Sequence, residues 1–340
     1  MLIRAFSLFE GEHGVCHWVT GRGGLTGAGG AVNPAAMQLR NRIPLIPHYT
    51  FGTGRIRATV DTFAEDVKLV RGVMETGVAV HTSSDYGHGG HDVQPFGGGQ
   101  TLKVLKAAFA EAPQQIPKII VKLYCATVEN ARGHLEMILA GLGVERIDVA
   151  QLCTWADFAE DFGQQGPRWQ MFNEFQEKGV IGNYLAEIFA PWSQNALPVI
   201  EEKLVDGVIF YYNLIERQVS NEVWDRIEAK NTLVFALRTL GGICPDMERL
   251  DETLTGQGED SMSARLAALK PLYKQSGCRN WVEFSMRFAL SMPNVVTTIG
   301  ATNKLQHVQA FLAAEKRPLP QDVLKQIHTL HREAGNTQEK

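Results

Sequence analysis

The chain has 340 residues, 44% of them apolar and 21% charged, and a formal net charge of -4, which excludes a disordered or fibrous protein. No basic surplus invites nucleic acid or an anionic lipid surface, so the expected partner is a small molecule. No apolar run approaches the ~18 residues of a membrane span, and five scattered cysteines (Cys16, Cys125, Cys153, Cys244, Cys278) without a CxxC pair suit a reducing cytoplasm rather than a disulfide framework or structural zinc.

Residues 1–45 follow no strand–helix pattern. Their opening, MLIRAFSLFEGEHG, is too brief an apolar patch for a signal peptide. TGRGGLTGAGGAVNP is rich in glycine, but no Lys-Ser or Lys-Thr follows, so it is not a phosphate-cradling P-loop. This segment is expected to be an extension or hairpin that closes the floor of the following fold or edges its site. Residues 46–315 alternate short apolar runs with amphipathic stretches, and residues 316–340 supply a C-terminal helix and a solvated tail.

Within the body, IPHYTFG opens the strand series. DTFAEDVKLVRGVMETG is a helix, with Thr62 and Glu65 spaced as a capping box, Phe63, Val67, Val70 and Met74 on one face, and Gly77 as its stop. Strands follow at VAVHT, at 118–124, 147–153, 179–184, 206–213, 232–238 and 295–301, separated mostly by helical patterns such as NARGHLEMILAGLG. Eight such units in this length predict an α/β protein of the (β/α)8 TIM-barrel type, whose site lies at the C-terminal ends of the strands. The competing architecture, a doubly wound open sheet, prefers a GxGxxG turn after its first strand.

The chemistry concentrates in VAVHTSSDYGHGG, where a strand ends at His81 and is followed by Asp85, Tyr86, His88 and His91. His88 and His91 share a glycine loop without a third ligand, so no metal is expected. Lys122 stands inside the apolar run KIIVKLY, and a buried lysine is costly unless it has a partner or a task.

Five segments in order, IPHYTFGTG, METGVAVHTSSDYGHG, GLGVERIDVAQLC, VDGVIFYYNLIER and TTIGATNKLQHVQAFLAA, resemble the aldo-keto reductase family. That resemblance implies a catalytic set of Asp, Tyr, Lys and His, with the tyrosine protonating a carbonyl as a nicotinamide hydride attacks it. Carried over by position, the tyrosine is Tyr86 and the lysine Lys122, while His81 stands at the aspartate position and Cys153 at the histidine position, with Thr154 as an alternative match for the last. A histidine supplies no negative charge, so burial alone should push Lys122 toward its neutral form unless Asp85 supplies the charge. A thiol orients a carbonyl poorly compared with imidazole.

For the cofactor, the resemblance implies Tyr212 as the aromatic ring against the nicotinamide and Asn183, shifted from the usual Ser-Asn pair, for its carboxamide. It implies Arg238, Leu240, Gly241 and Gly242 as the pyrophosphate loop, and Gly300, Ala301 and Thr302 as a phosphate site at a helix start. Lys304 is placed to reach a 2'-phosphate, Gln306 matches a frequent glutamine, and NADP(H) is expected ahead of NAD(H). The expected activity is an NAD(P)H-dependent cytoplasmic oxidoreductase acting on an aldehyde, ketone or sugar-derived carbonyl. The alternatives are a non-reductive barrel enzyme using His81 and Tyr86 for proton transfer, elimination or epimerisation, or a cofactor-binding protein without turnover.

Overall fold

A computed structural model of the chain describes residues 43, 46–87, 90–91, 99–158, 166–189, 192–241, 261–314 and 316–338. Eight parallel strands close into a barrel: β1 (Tyr49–Gly52), β2 (Ala79–Thr82), β3 (Ile119–Tyr124), β4 (Ile147–Cys153), β5 (Ile181–Glu187), β6 (Gly207–Tyr211), β7 (Leu233–Leu237) and β8 (Val295–Ala301), with β8 pairing back to β1. Helices α1 (Phe63–Met74), α2 (Gln100–Glu111), α3 (Val128–Leu142), α4 (Pro167–Glu177), α5 (Ala196–Glu201) and α6 (Asn221–Lys230) connect successive strands from β1 to β7. Helices α7 (Ser261–Ser276) and α8 (Trp281–Leu290) lie between β7 and β8, and α9 (Leu305–Ala313) and α10 (Gln321–Gln338) follow β8. The expected (β/α)8 fold is the observed one.

Two of the expected helices show how local chemistry sets their ends. In α3, Thr127 accepts from the Asn130 backbone N–H at the start, and Gly143 takes the left-handed conformation at the finish. In α1 the apolar face forms as its spacing predicts, with Val67, Val70 and Met74 buried. The capping box does not form there, because the Thr62 hydroxyl donates to Asp66 Oδ2, which also accepts from the Ala58 backbone N–H.

Strand parity divides the interior. Ile120, Val149, Leu185, Ile209, Leu233, Phe235, Leu237, Val296 and Ile299 form an inner apolar cluster, joined by Ile43 and Ile46 from the segment before β1. Since side chains alternate with period two, the residues two places on from Ile120, Val149 and Leu185 also face inward: Lys122, Gln151 (then Cys153) and Glu187. The interior is therefore apolar along β6 and β7, whereas the C-terminal ends of β2 to β5 turn polar side chains inward.

Candidate active site

Tyr86 stands just past β2, half-buried, in a loop braced from several sides. His134 on α3 accepts the Tyr124 backbone N–H at Nδ1 (2.9 Å), so its hydrogen sits on Nε2 and is donated to Ser84 Oγ (2.8 Å). Burial pushes that imidazole down to about 4, which keeps it in the neutral tautomer this bracing needs. Asp85 accepts from the Tyr124 hydroxyl at Oδ2 (3.0 Å) and from the Ser83 hydroxyl at Oδ1. Thr53 after β1 donates to the Thr82 hydroxyl (2.8 Å), fixing the other flank.

Lys122 extends from β3 toward this loop, with Nζ 5.6 Å from the centre of the Tyr86 ring. Burial pushes the tyrosine hydroxyl up to about 12, against the opposing pull of the Lys122 ammonium. For Lys122 itself burial acts downward, but Tyr86, Glu187, Cys153 and Asp85 together hold it well above its ordinary value. The expected drift of Lys122 toward neutrality is thus corrected by its surroundings.

His81, 3% exposed, packs with its ring 6.4 Å from that of Tyr86. It reaches past β3 to place Nε2 2.7 Å from Gln151 Oε1 on β4, so the ring hydrogen is committed to that amide. Burial lowers its pKa to about 4. Cys153 donates its thiol hydrogen to Glu187 Oε2 (2.8 Å), and burial drives that thiol well up. Thr154, the alternative match, is exposed at φ 64° and gives its hydroxyl to the Cys153 carbonyl.

Two cofactor expectations meet a different geometry. Tyr212 is fully buried on the outside of the barrel, stacked on Trp224 of α6 at 5.0 Å and against Phe288 of α8 at 5.1 Å, with no partner for its hydroxyl among the described residues. Its neighbour Tyr211 shares the parity of inward-facing Ile209 and packs on the inner cluster, and the Arg238 guanidinium lies 4.6 Å from the centre of its ring. Asn183 faces Val149 near the N-terminal end of β5 and donates to the Asp148 carbonyl, because the strand runs on to Glu187. It therefore does not join the group around Tyr86.

The remaining positions gather at the β7 and β8 ends. Arg238 has φ 57°, is 52% exposed, and holds Glu216 at 3.6 Å. Leu240 packs partly into the outer core, and Gly241 (φ 59°) presses against the Asn213 side-chain amide, where a Cβ would come within 2.2 Å of its oxygen. Gly242, His88 and all of residues 1–45 but Ile43 lie outside the described residues. Gly300 and Ala301 close β8, and Thr302 binds His307 Nδ1 at 2.8 Å and accepts the Lys304 N–H at 3.1 Å. Helix α9 starts after Lys304 without a side-chain cap, and Gln306 is exposed in its first turn. Thr239, between the two loops, has a buried hydroxyl without a partner among the described residues. The described residues hold no cluster of metal-ligating side chains.

A model of the aldo/keto reductase family matches residues 49–332. The chain belongs to that family. Among solved structures, an aldo-keto reductase from Klebsiella pneumoniae in complex with NADPH is similar at 15% identity, covering 84% of this chain and 92% of that one, with a TM-score of 0.59. The holo form of aldo-keto reductase AKR11C1 from Bacillus halodurans has 17% identity, the same two coverages and a TM-score of 0.64. At these identities the likeness speaks for the fold. No curated protein matches the chain.

Against the aldo-keto reductase pattern, the mouth of this barrel contains residues that sequence reasoning passed over. Glu187, 6% exposed, ends β5 with its backbone carbonyl bound by the Trp155 indole. Burial raises its carboxyl, while the Lys122 ammonium and the Cys153 thiol favour the anion. Gln151 is fully buried, holds the His81 ring through its amide oxygen, and favours the Glu187 anion. Both are polar side chains inside apolar runs, the signal that singles out Lys122.

Proposed function

We propose that this aldo-keto reductase family member is an NAD(P)H-dependent oxidoreductase that reduces the carbonyl of a small aldehyde, ketone or sugar-derived molecule, with Tyr86 as the proton donor. The observation that carries the reading is the Lys122 ammonium, 5.6 Å from the Tyr86 ring centre at the C-terminal rim of the barrel. A phenol near 12 keeps its proton at neutral pH, as an acid must, yet gives it up to an alkoxide. The ammonium stabilises the phenolate left behind. His81 serves as a neutral wall rather than a base, since a base working near neutrality needs a pKa close to 7 and His81 sits at about 4 with its Nε2 hydrogen engaged. This disfavours the proton-transfer, elimination and epimerisation readings. The Cys153 hydrogen is likewise committed to Glu187, so the substrate carbonyl is oriented by Tyr86.

A dinucleotide suits the groups left unsatisfied here. The Tyr211 ring and the exposed Arg238 stacked on it offer a face for the nicotinamide half and a clamp for phosphate oxygens. The orphan Thr239 hydroxyl, Gly300, Ala301, Thr302 and the uncapped start of α9 offer phosphate contacts, with Lys304 and Gln306 toward a 2'-phosphate. When bound, the reduced nicotinamide supplies the hydride. The Klebsiella relative was solved with NADPH, which together with Lys304 favours NADP(H) over NAD(H).

Tryptophan fluorescence titrated with NADPH and NADH tests the cofactor, and loss of reduced cofactor with a panel of small aldehydes tests the reaction. The reading expects tighter quenching by NADPH and turnover that disappears in Tyr86→Phe. Absence of quenching by either nucleotide, or turnover unaffected by Tyr86→Phe, contradicts it.

A further inference from the structure

An ammonium that has shed part of its water needs a nearby anion, yet the β2 position facing Lys122 holds His81, whose hydrogen is donated to Gln151 and which adds no negative charge. Two carboxylates are near. Asp85 is tied into its own loop, with one oxygen bound by Tyr124 and the other by Ser83. Glu187 faces inward from the end of β5, 6% exposed, with Oε2 held by the Cys153 thiol. A carboxylate this buried is costly without a facing cation. Among the described inward positions of β2 to β5, Lys122 is the cationic side chain.

We propose that Glu187 is the positioning residue that keeps the Lys122 ammonium charged, the counter-charge having moved from the β2 position now held by His81 to the far end of β5. The proposal rests on Tyr86 and Lys122 forming the acid pair. It makes the neighbouring residue types mutually consistent. A neutral His81 places no second positive charge beside Lys122, and a cysteine at position 153 donates to Glu187 without competing as a cation. The indole of Trp155, bound to the Glu187 carbonyl, fixes the strand end that presents the carboxylate.

The groups facing Lys122 and Tyr86 are His81 from β2, Asp85 from the following loop, Tyr124 from β3, Cys153 from β4, Glu187 from β5 and Tyr211 from β6. The test therefore reads Lys122 directly: its titration in ligand-free protein carrying ¹³C-labelled lysine, assigned by the resonance missing from Lys122→Met. Removing a nearby anion lowers a lysine midpoint, here by about 1 pH unit in Glu187→Gln. Adding His81→Asp to Glu187→Gln returns the midpoint toward wild type, and Asp85→Asn moves it less than Glu187→Gln does. Should Glu187→Gln fail to fold, Glu187→Asp serves, with a smaller shift in the same direction. In turnover, the alkaline limb of the pH–rate profile moves to lower pH with Glu187→Gln and back with the added aspartate. A Lys122 midpoint that ignores substitution at Glu187, or follows Asp85 more strongly, overturns the proposal. Because the titration needs neither cofactor nor substrate, it separates the two readings. A normal midpoint shift without any turnover removes the reductase reading alone, whereas turnover that needs Tyr86 with an unmoved Lys122 removes the role of Glu187 alone.

Discussion

Replacing Tyr212 by phenylalanine separates the two adjacent tyrosines of FYYN in one comparison. The Tyr212 ring is clamped between Trp224 and Phe288, and phenylalanine keeps that packing. Its hydroxyl is fully buried without a partner among the described residues, and an unsatisfied buried hydroxyl costs on the order of 1–3 kcal/mol. Taking the low end, Tyr212→Phe stabilises the protein by about 1 kcal/mol, a rise in Tm of roughly 2 °C for a chain of this size. Its NADPH affinity stays at the wild-type value, since the ring faces the helices. Tyr211→Ala behaves oppositely. It removes the ring under Arg238, a cation–π contact of about 0.5–1 kcal/mol, together with the apolar face offered to the cofactor. Together these weaken NADPH binding by roughly tenfold or more. Thermal melting and fluorescence titration of the two variants side by side decide the matter. A Tyr212→Phe protein that melts several degrees lower or binds NADPH tenfold more weakly refutes the outward placement.

Gly241→Ala forces a left-handed residue to carry a side chain, costing about 1–2 kcal/mol, and drives its Cβ into the Asn213 oxygen, which accepts from the Ile215 and Glu216 N–H groups. With those two hydrogen bonds at about 1 kcal/mol each, urea unfolding should show a loss of roughly 3 kcal/mol, and a loss under 1 kcal/mol contradicts the close approach. The buried histidines set an acid limit: His81 and His134 fall to about 4 and His331 to about 3 in the fold, against about 6.5 unfolded. Between those values the unfolded chain binds more protons, so stability is complete above pH 6.5 and drains as pH falls toward 4. Each such histidine steepens the slope by up to about 1.4 kcal/mol per pH unit. Urea melts from pH 7 to 4.5 measure it, with His81→Gln flattening the slope by about one proton, and an unchanged slope counts against the neutral His81.

The barrel was legible because parallel strands buried on both faces read as apolar runs, and because glycines such as Gly77 and Gly143 stop helices at left-handed positions. Lys122 was legible for the converse reason, as a charge where none belongs. Glu187 carries the same mark, an acid between Ala186 and Ile188, but reading β5 as 179–184 ended the strand before reaching it. Gly179 is in fact the left-handed turn leaving α4, so the strand starts at Ile181 and ends at Glu187. That displacement also carried Asn183 to the barrel base. Tyr211 and Tyr212 differ by a single step of strand parity, which inverts the face. The pattern of Ile209 and Phe210, one inward and one outward, tells their faces apart, whereas motif position alone selects Tyr212, whose ring packs against the helices. That Asp85 takes the Tyr124 and Ser83 hydroxyls while Glu187 takes the Cys153 thiol depends on contacts made in the folded chain, and sequence order does not encode these.

The central claim, that Tyr86 and Lys122 act together in reducing a carbonyl, is tested most directly by single-turnover transfer of deuterium from 4-deuterated NADPH to a small aldehyde, read by mass spectrometry of the alcohol. Wild-type protein is predicted to deliver the label to the product carbon, with delivery lost in both Tyr86→Phe and Lys122→Met although each still binds NADPH. Undiminished transfer in either variant contradicts the account.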